Sequence, residues 1–312
     1  MKKLFIKLIT IALVLTIVIL VVKEIERGNN CFTGAFISDK PSGKDIREFK
    51  KDYGKKPFIV LVFVDWEQFV PDEVINDVYK EDCVLMVTWE PWKAQKKTGI
   101  NYKELLEGKY DPYINEFAEK IKNIKKPVFL RFAHEMNGNW YPWSGTKISK
   151  ELYIKMYRYV HKLCKKAGAN NVKWIFSINA EDVPKEKNNY FLNYYPGNRY
   201  VDYVGIDGYN WGNTYSWSKW TAFKDIFKKP YKEITAKIHK PVIIAEFSSA
   251  DTGGDKGVWI KEAMQEIRRL RRVKAFVLFN VNKEAKWQFD AAAASGEALK
   301  KQLAGTYFKD KK

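Results

Sequence analysis

Short apolar runs separated by amphipathic stretches recur along nearly the whole chain, and this alternation constrains the fold more than any other feature. Eight candidate strands fall at residues 32–38, 57–64, 83–88, 127–134, 172–179, 200–209, 241–247 and 273–281. Amphipathic segments at 113–124, 150–167, 222–239 and 258–271 lie between them. Strands that alternate with helices pair in parallel, because each crossover helix returns the chain to the same end of the sheet. Several segments end in breakers: Ala167-Gly168 ahead of Asn170-Asn171, and the Lys-Pro steps Lys126-Pro127 and Lys240-Pro241. Eight runs, closed by a helix at 291–303, predict an α/β fold of the (β/α)8 TIM-barrel class. No glycine-rich fingerprint follows the first run, which disfavours a dinucleotide-binding sheet. Neither an internal repeat nor a linker divides residues 31–312, so they are expected to form one domain.

Residues 1–30 stand apart from that pattern. Lys2, Lys3 and Lys7 flank a stretch, 8–22, that carries no charge. Counted from Leu4, with Lys7 snorkelling, it reaches about 19 residues, close to the length that crosses a bilayer. A cleaved signal peptide ends in a small-x-small site, whereas Val21-Val22-Lys23-Glu24 offers none. An uncleaved signal anchor is therefore expected, with the basic flank in the cytoplasm and the barrel on the extracellular face of the membrane. Were the segment cleaved, the chain would be secreted.

Composition narrows the partners. The formal net charge is +18, mostly lysine spread over the helices rather than arginine blocks interleaved with aromatics. Such a surface is not a nucleic-acid footprint, and an exported chain would not meet nucleic acid; anionic cell-wall polymers are the partners it would attract. Cys31, Cys83 and Cys164 cannot all pair and lack metal-ligand spacing, so Cys83 and Cys164 are expected as buried thiols. Neither a metal nor a cofactor is called for, and the domain is expected to be a monomer.

In a barrel of this kind chemistry sits at the C-terminal ends of the strands. Polar residues that interrupt the apolar runs gather there: Asp65-Trp66, Thr88-Trp89-Glu90, His134-Glu135, Asn179-Ala180-Glu181, Asp207-Gly208-Tyr209-Asn210, Glu246 and Asn280-Val281-Asn282. Alternation along the fourth run puts Arg131, Ala133 and Glu135 on one face, with both charged groups in the barrel mouth. His134-Glu135 is not half of a zinc-protease helix, because position 138, where the second histidine would stand, is Gly138. Glu135 as an ion-pair partner of Arg131 is the plain structural alternative. In the seventh run Glu246 ends a β-branched stretch, where a buried charge needs partners. Two carboxylates at the mouth suit glycoside cleavage, in which one protonates the leaving oxygen and the other attacks the anomeric carbon or activates water. Tyr209, beside the seventh strand, is placed to donate to Glu246 and keep it ionised, while Trp140 and Trp143 would raise the pKa of Glu135. Aromatic residues make up 15% of the chain, with 11 Trp. Trp66, Trp89, Trp92, Trp140, Trp143, Trp211, Trp217 and Trp287 fall at expected mouth positions, where flat rings suit the C–H faces of sugars.

The segment His134-Glu135-Met136-Asn137-Gly138-Asn139-Trp140 resembles the acid/base segment of glycoside hydrolase family 26. Tyr203-Val204-Gly205-Ile206-Asp207-Gly208-Tyr209-Asn210 is similar to that family's sixth strand, and Ile244-Ala245-Glu246-Phe247 to its nucleophile strand. The resemblance implies a retaining (β/α)8 enzyme with Glu135 as acid/base and Glu246 as nucleophile. It also implies His134 and Tyr209 as their hydrogen-bonding supports, Trp140 lining the cleavage site and Trp287 as a stacking platform. Arg131, Trp89, Trp143 and Trp211 complete the expected substrate-binding set. The expected substrate is a β-1,4-mannan-type polysaccharide cut internally. β-1,3-1,4-glucan and the trimming of an exopolysaccharide are the alternatives, and a non-catalytic polysaccharide-binding barrel is the rival from another class.

Overall fold

The computed structural model describes residues 30–311. Eight parallel strands close into a barrel: β1 (Gly34–Phe36), β2 (Ile59–Val64), β3 (Val84–Trp89), β4 (Val128–Phe132), β5 (Val172–Asn179), β6 (Tyr203–Asn210), β7 (Val242–Ser249) and β8 (Val273–Phe279). Each pairs with its sequence neighbour, and β8 closes the ring by pairing with both β7 and β1, Leu278 against Ala35. A short strand, Cys31–Phe32, pairs in parallel with the C-terminal strand Phe308–Lys309. The eight expected strands are thus present.

The helices α1 (Gly43–Tyr53), α2 (Asp72–Lys80), α3 (Tyr102–Leu106), α4 (Asp111–Asn123), α5 (Lys150–Lys166), α6 (Phe223–Lys237), α7 (Lys256–Arg269) and α8 (Ala294–Leu303) lie among the connections. Their ends follow local chemistry. Ser42 and Asp45 form a reciprocal capping box on α1, and Ser149 and Asp255 cap α5 and α7. The connection from β5 to β6 has no α-helix and runs instead through three 3₁₀ turns, at Lys187–Asn189, Phe191–Tyr194 and Asn198–Tyr200.

Strand parity divides the core in two. Ile59 and Leu61, Val84 and Met86, Phe129, Ile175, Tyr203, Ile243, Ala275 and Val277 fill the barrel interior. The intervening Val60, Val62, Leu85, Val87, Leu130, Phe176 and Ile206 face the helices. Burial of each such side chain contributes ~1.5–3 kcal/mol relative to exposure. Cys31, Cys83 and Cys164 are all free, buried thiols. The expected membrane anchor lies outside the described residues; among those described, no helix is long and apolar enough to cross a membrane.

Candidate active site

Two backbone irregularities aim the two key carboxylates. β4 ends at Phe132, and beyond it Ala133 and Glu135 both adopt left-handed conformations, φ 49° and 52°. Non-glycine residues hold such φ values only where surrounding bonds enforce them. Here the Ala133 amide donates to the Trp89 carbonyl and the Glu135 amide to that of Ser177 (2.9 Å), while the Tyr153 hydroxyl donates to the Ala133 carbonyl. Strict alternation therefore stops at Phe132. Ala133 packs with the helix-side core, contrary to expectation, and Glu135 reaches the mouth through the kink. The second irregularity is a bulge in β7 between Ile244 and Glu246, where the register to Ile206 and Asp207 slips by one residue. Ile243 and Ala245 face inward, so simple alternation would turn Glu246 toward the helices. The extra residue turns it back into the barrel, a common use of bulges near active sites.

Arg131 is fully buried in the barrel and organises the floor of the site. Its Nε donates to Thr88 (2.9 Å), one terminal nitrogen to Asp207 (2.7 Å) and the other to Glu246. Ser177 bridges to both oxygens of Asp207. Arg131 thus pairs with Asp207 and Glu246, not with Glu135, which removes the structural ion-pair alternative for Glu135. Burial opposes the guanidinium's charge, but the Asp207 and Glu246 carboxylates outweigh it and hold Arg131 protonated. Tyr209 donates its hydroxyl to the second oxygen of Glu246, as expected from the sequence. Each oxygen of the Glu246 carboxylate is thereby engaged by a donor.

Glu135 sits in a different environment. Asn179 Nδ2 donates to Oε1 and Trp140 Nε1 to Oε2, both at 2.9 Å. Burial first, and the Glu246 charge second, push its carboxyl up to about 7. Asn137 braces Asn179 by accepting from its amide and donating to its carbonyl. Trp140 lies so close over Gly138 that a Cβ there would come within 2.5 Å of the indole, which explains the glycine in this turn.

His134 is buried and holds its Nε2 3.1 Å from the Tyr141 hydroxyl; no hydrogen bond joins it to Glu135. Burial, then the nearby Arg131 charge, lowers its pKa well below the usual value, so the ring is neutral. Other expected site residues are redistributed. Trp89 is fully buried, stacked on Phe117 at 3.9 Å, because its parity on β3 turns it toward α4. Trp66 packs beside it in the same helix-side cluster. Trp143 is also fully buried, donating to the His134 carbonyl and stacking on Tyr141, so it supports the loop. Trp211 and Trp287 do come to the mouth, 4.7 Å apart and next to Tyr209, with Trp287 only 1% exposed.

Several participants were not singled out from sequence. Asp207 and Asn179 stood among the strand-end polar residues, and that position was their signal. Glu90, after β3, is buried, accepts from Trp92 Nε1 and is pushed by burial up to about 7. Tyr141 carried no signal, since it lies in an irregular loop. Among the described residues no group of three His, Cys, Asp or Glu is arranged to hold a metal ion.

The chain as a whole has known relatives. Residues 24–287 match the sequence profile of Glycosyl hydrolase family 26. The chain is 40% identical over 278 residues to Endoglucanase H of Acetivibrio thermocellus, covering 85% of this chain and 30% of that protein. It is 33% identical over 135 residues to a mannan endo-1,4-beta-mannosidase of Bacillus subtilis, 36% of this chain and 35% of the relative. It therefore spans about a third of the length of these relatives. Among solved structures, Bacillus subtilis mannanase BCman superposes with a TM-score of 0.68 at 20% identity, covering 95% of this chain and 93% of the other. With the closed eight-stranded barrel and the profile running through both carboxylate strands, this chain belongs to glycosyl hydrolase family 26.

Proposed function

We propose that this chain is a retaining endo-β-glycanase acting on β-1,4-mannan-type polysaccharide, with Glu246 as nucleophile and Glu135 as acid/base. The observation that carries this is the contrast between the two carboxyls. Glu246 is held by hydrogen bonds from Arg131 and Tyr209, whereas Glu135 is desolvated and raised to about 7. A carboxyl raised to about 7 suits the acid, which leaves the arginine-bound carboxylate across the site as nucleophile.

In the first step Glu246 attacks the anomeric carbon while the Glu135 proton passes to the departing glycosidic oxygen, which leaves as an alcohol. Glu246 is then esterified and Glu135 ionised. Glu135 next takes a proton from water as that water's oxygen displaces Glu246, which restores both groups and the original anomeric configuration. Arg131 balances charge at the nucleophile throughout. Trp140, 41% exposed above Glu135, offers its ring to the leaving sugar.

A second reading, a β-glucan as substrate with β-1,3-1,4-glucan as its candidate, is favoured by the 40% identity to a protein named Endoglucanase H. The uncharged stretch at 8–22 supports tethering at the extracellular face, which suits trimming of the cell's own exopolysaccharide, and the +18 charge supports contact with anionic wall polymers. The test incubates residues 30–312 with mannan, lichenan and β-1,3-xylan and follows reducing ends, with early products read by NMR for their anomer. Release from one polymer, first as the β-anomer, and its loss in Glu135→Gln and Glu246→Ala are expected. No release from any of the three, or wild-type turnover in Glu246→Ala, would refute the assignment.

A further inference from the structure

The connection from β5 to β6, which has no α-helix, wraps around one residue of the acid/base loop. The Asn137 carbonyl accepts from the Val183 amide and from Asn189 Nδ2, both at 2.8 Å. Asn137 is fully buried, and its Nδ2 donates to the Asn179 carbonyl and to Asp182 Oδ1, both at 2.9 Å. The two loops close so tightly that a Cβ on Gly145 would fall 1.6 Å from the Tyr194 hydroxyl, which itself donates to Asn189. A stretch of irregular backbone that grips a single asparagine from several sides is a support for the loop it holds.

Asp182 is the charged member of this assembly. Its Oδ1 accepts from Asn137 Nδ2 and, at 3.1 Å, from the Phe191 amide. A carboxylate can only accept, so it fixes the Asn137 amide with its nitrogen toward Asp182 and its oxygen toward β5. That oxygen accepts from the Asn179 amide at 2.9 Å, so the Asn179 backbone is held at both its N–H and its C=O. The Asn179 side chain is aimed from the same place. Its Oδ1 accepts from the Glu181 amide (3.0 Å), which leaves Nδ2 to donate to Glu135 Oε1 (2.9 Å). Two routes thus run from Asp182 to the Glu135 carboxyl, one through Asn137 and one along the 179–182 backbone. Glu181, the acidic residue marked by its strand-end position, is exposed and pairs with Lys185 instead.

We propose that Asp182 is a positioning residue for the acid/base: it fixes Asn137, and through it the Asn179 amide that donates to the Glu135 anion. The catalytic role of Glu135 rests on the glycanase reading, whereas the link from Asp182 to its carboxyl does not. The Asn179 donor stabilises the ionised form of Glu135, so spoiling its aim raises the Glu135 pKa. Loss of the Asp182 charge acts in the opposite sense, because removing a like charge lowers a carboxyl's pKa. The sign of the shift therefore separates positioning from a through-space effect. Arg131 on β4, Asp207 and Tyr209 on β6, Glu246 on β7 and Tyr141 act electrostatically with Glu135, and none of them is altered in the variants below. On the Asp182 side the charged groups are Lys229 and Glu233 of α6, which line with it a cavity of about 420 Å³.

The test titrates Glu135 directly, by carbon-13 NMR of protein labelled at the glutamate carboxyls, with Glu135→Gln assigning the resonance. Asp182→Ala should raise the Glu135 pKa by about one pH unit, the worth of a hydrogen bond to a charged group. Asn179→Ala should raise it as much, and the double variant no further, because both changes act on the same donor. Asp182→Asn keeps an acceptor for Asn137 and Phe191 and should leave the titration near the native one. In turnover, Asp182→Ala should lower kcat/KM about tenfold on mannan or lichenan, whichever the native chain cleaves. It should not lower kcat/KM on the 2,4-dinitrophenyl glycoside of the matching disaccharide, whose leaving group needs no proton. Asp182→Ser takes the place of Asp182→Ala if circular dichroism shows the latter unfolded. An unmoved or lowered pKa in Asp182→Ala, additive shifts in the double variant, or an equal loss on both substrates overturns the role. If the native chain cleaves neither polymer while the shift and its non-additivity hold, the glycanase reading falls and the link from Asp182 to Glu135 stands.

Discussion

Arg131 is the residue whose removal should reveal how the barrel holds its charges. The guanidinium is fully buried and is the cation to which Asp207 and Glu246, 0% and 7% exposed at their side chains, are paired. Arg131→Met keeps a similar stem and leaves no large void, so the main effect is electrostatic. Breaking a buried pair by removing one partner costs about 3–5 kcal/mol, because the other partner stays desolvated. For a domain of this size, ~2.1 cal/mol/K per residue gives an unfolding entropy of roughly 0.6 kcal/mol/K, so the melting temperature should fall by about 5–8 °C at pH 7.5. The pH dependence identifies the cause. Burial already raises the Asp207 carboxyl well above its ordinary value despite Arg131, and without Arg131 that rise grows. A raised carboxyl penalises folding above its unfolded pKa, and the penalty fades as pH falls from the folded value toward about 4. The deficit should therefore shrink steadily between pH 7.5 and pH 4.5 in paired thermal and urea melts. A loss below about 1 kcal/mol at pH 7.5, or one equal at both pH values, would refute this account and point to packing alone.

Further consequences are equally direct. Because burial and the Glu246 charge hold Glu135 up to about 7, the kcat profile should lose activity as pH rises through about 7 and the acid ionises. Trp140→Phe deletes a donor to the Glu135 anion, so that alkaline limb should move to higher pH; a shift downward would contradict the hydrogen bond seen at 2.9 Å. Tyr209→Phe removes a donor to Glu246 and should lower kcat by roughly 10- to 100-fold with the barrel still folded, as circular dichroism and melting would check. Trp143→Ala, in a fully buried site, should cost about 3–5 kcal/mol of stability. Trp143 would regain its expected role at the substrate if that variant kept its stability and lost only affinity.

The division between what sequence made legible and what it did not follows backbone regularity. Where strands run without interruption, the apolar runs marked the strands, and Arg131 emerged inside the barrel as alternation requires. The same parity applied to β3 would have turned Trp89 toward the helices, because Thr88 faces inward and its neighbour cannot. Trp89 was misplaced because position at a strand end was weighed without its face. Glu135 and Glu246 were found for chemistry and position, but the turns that aim them, two left-handed residues and one bulge, leave no mark in hydrophobic periodicity.

That asymmetry has a physical origin. A regular strand offers alternate residues to a closed interior about as wide as its side chains, so a charged group there is tolerated only with its partners, as Arg131 is. A reactive carboxyl must instead stand at the rim and point inward at a chosen angle, which the fixed pleat does not supply for every position. The kink after Phe132 raises Glu135 onto a wall formed by Asn179 and Trp140, where desolvation favours its proton. The bulge before Glu246 drops that carboxyl onto Arg131. Each irregularity thus selects the partners of the group it carries.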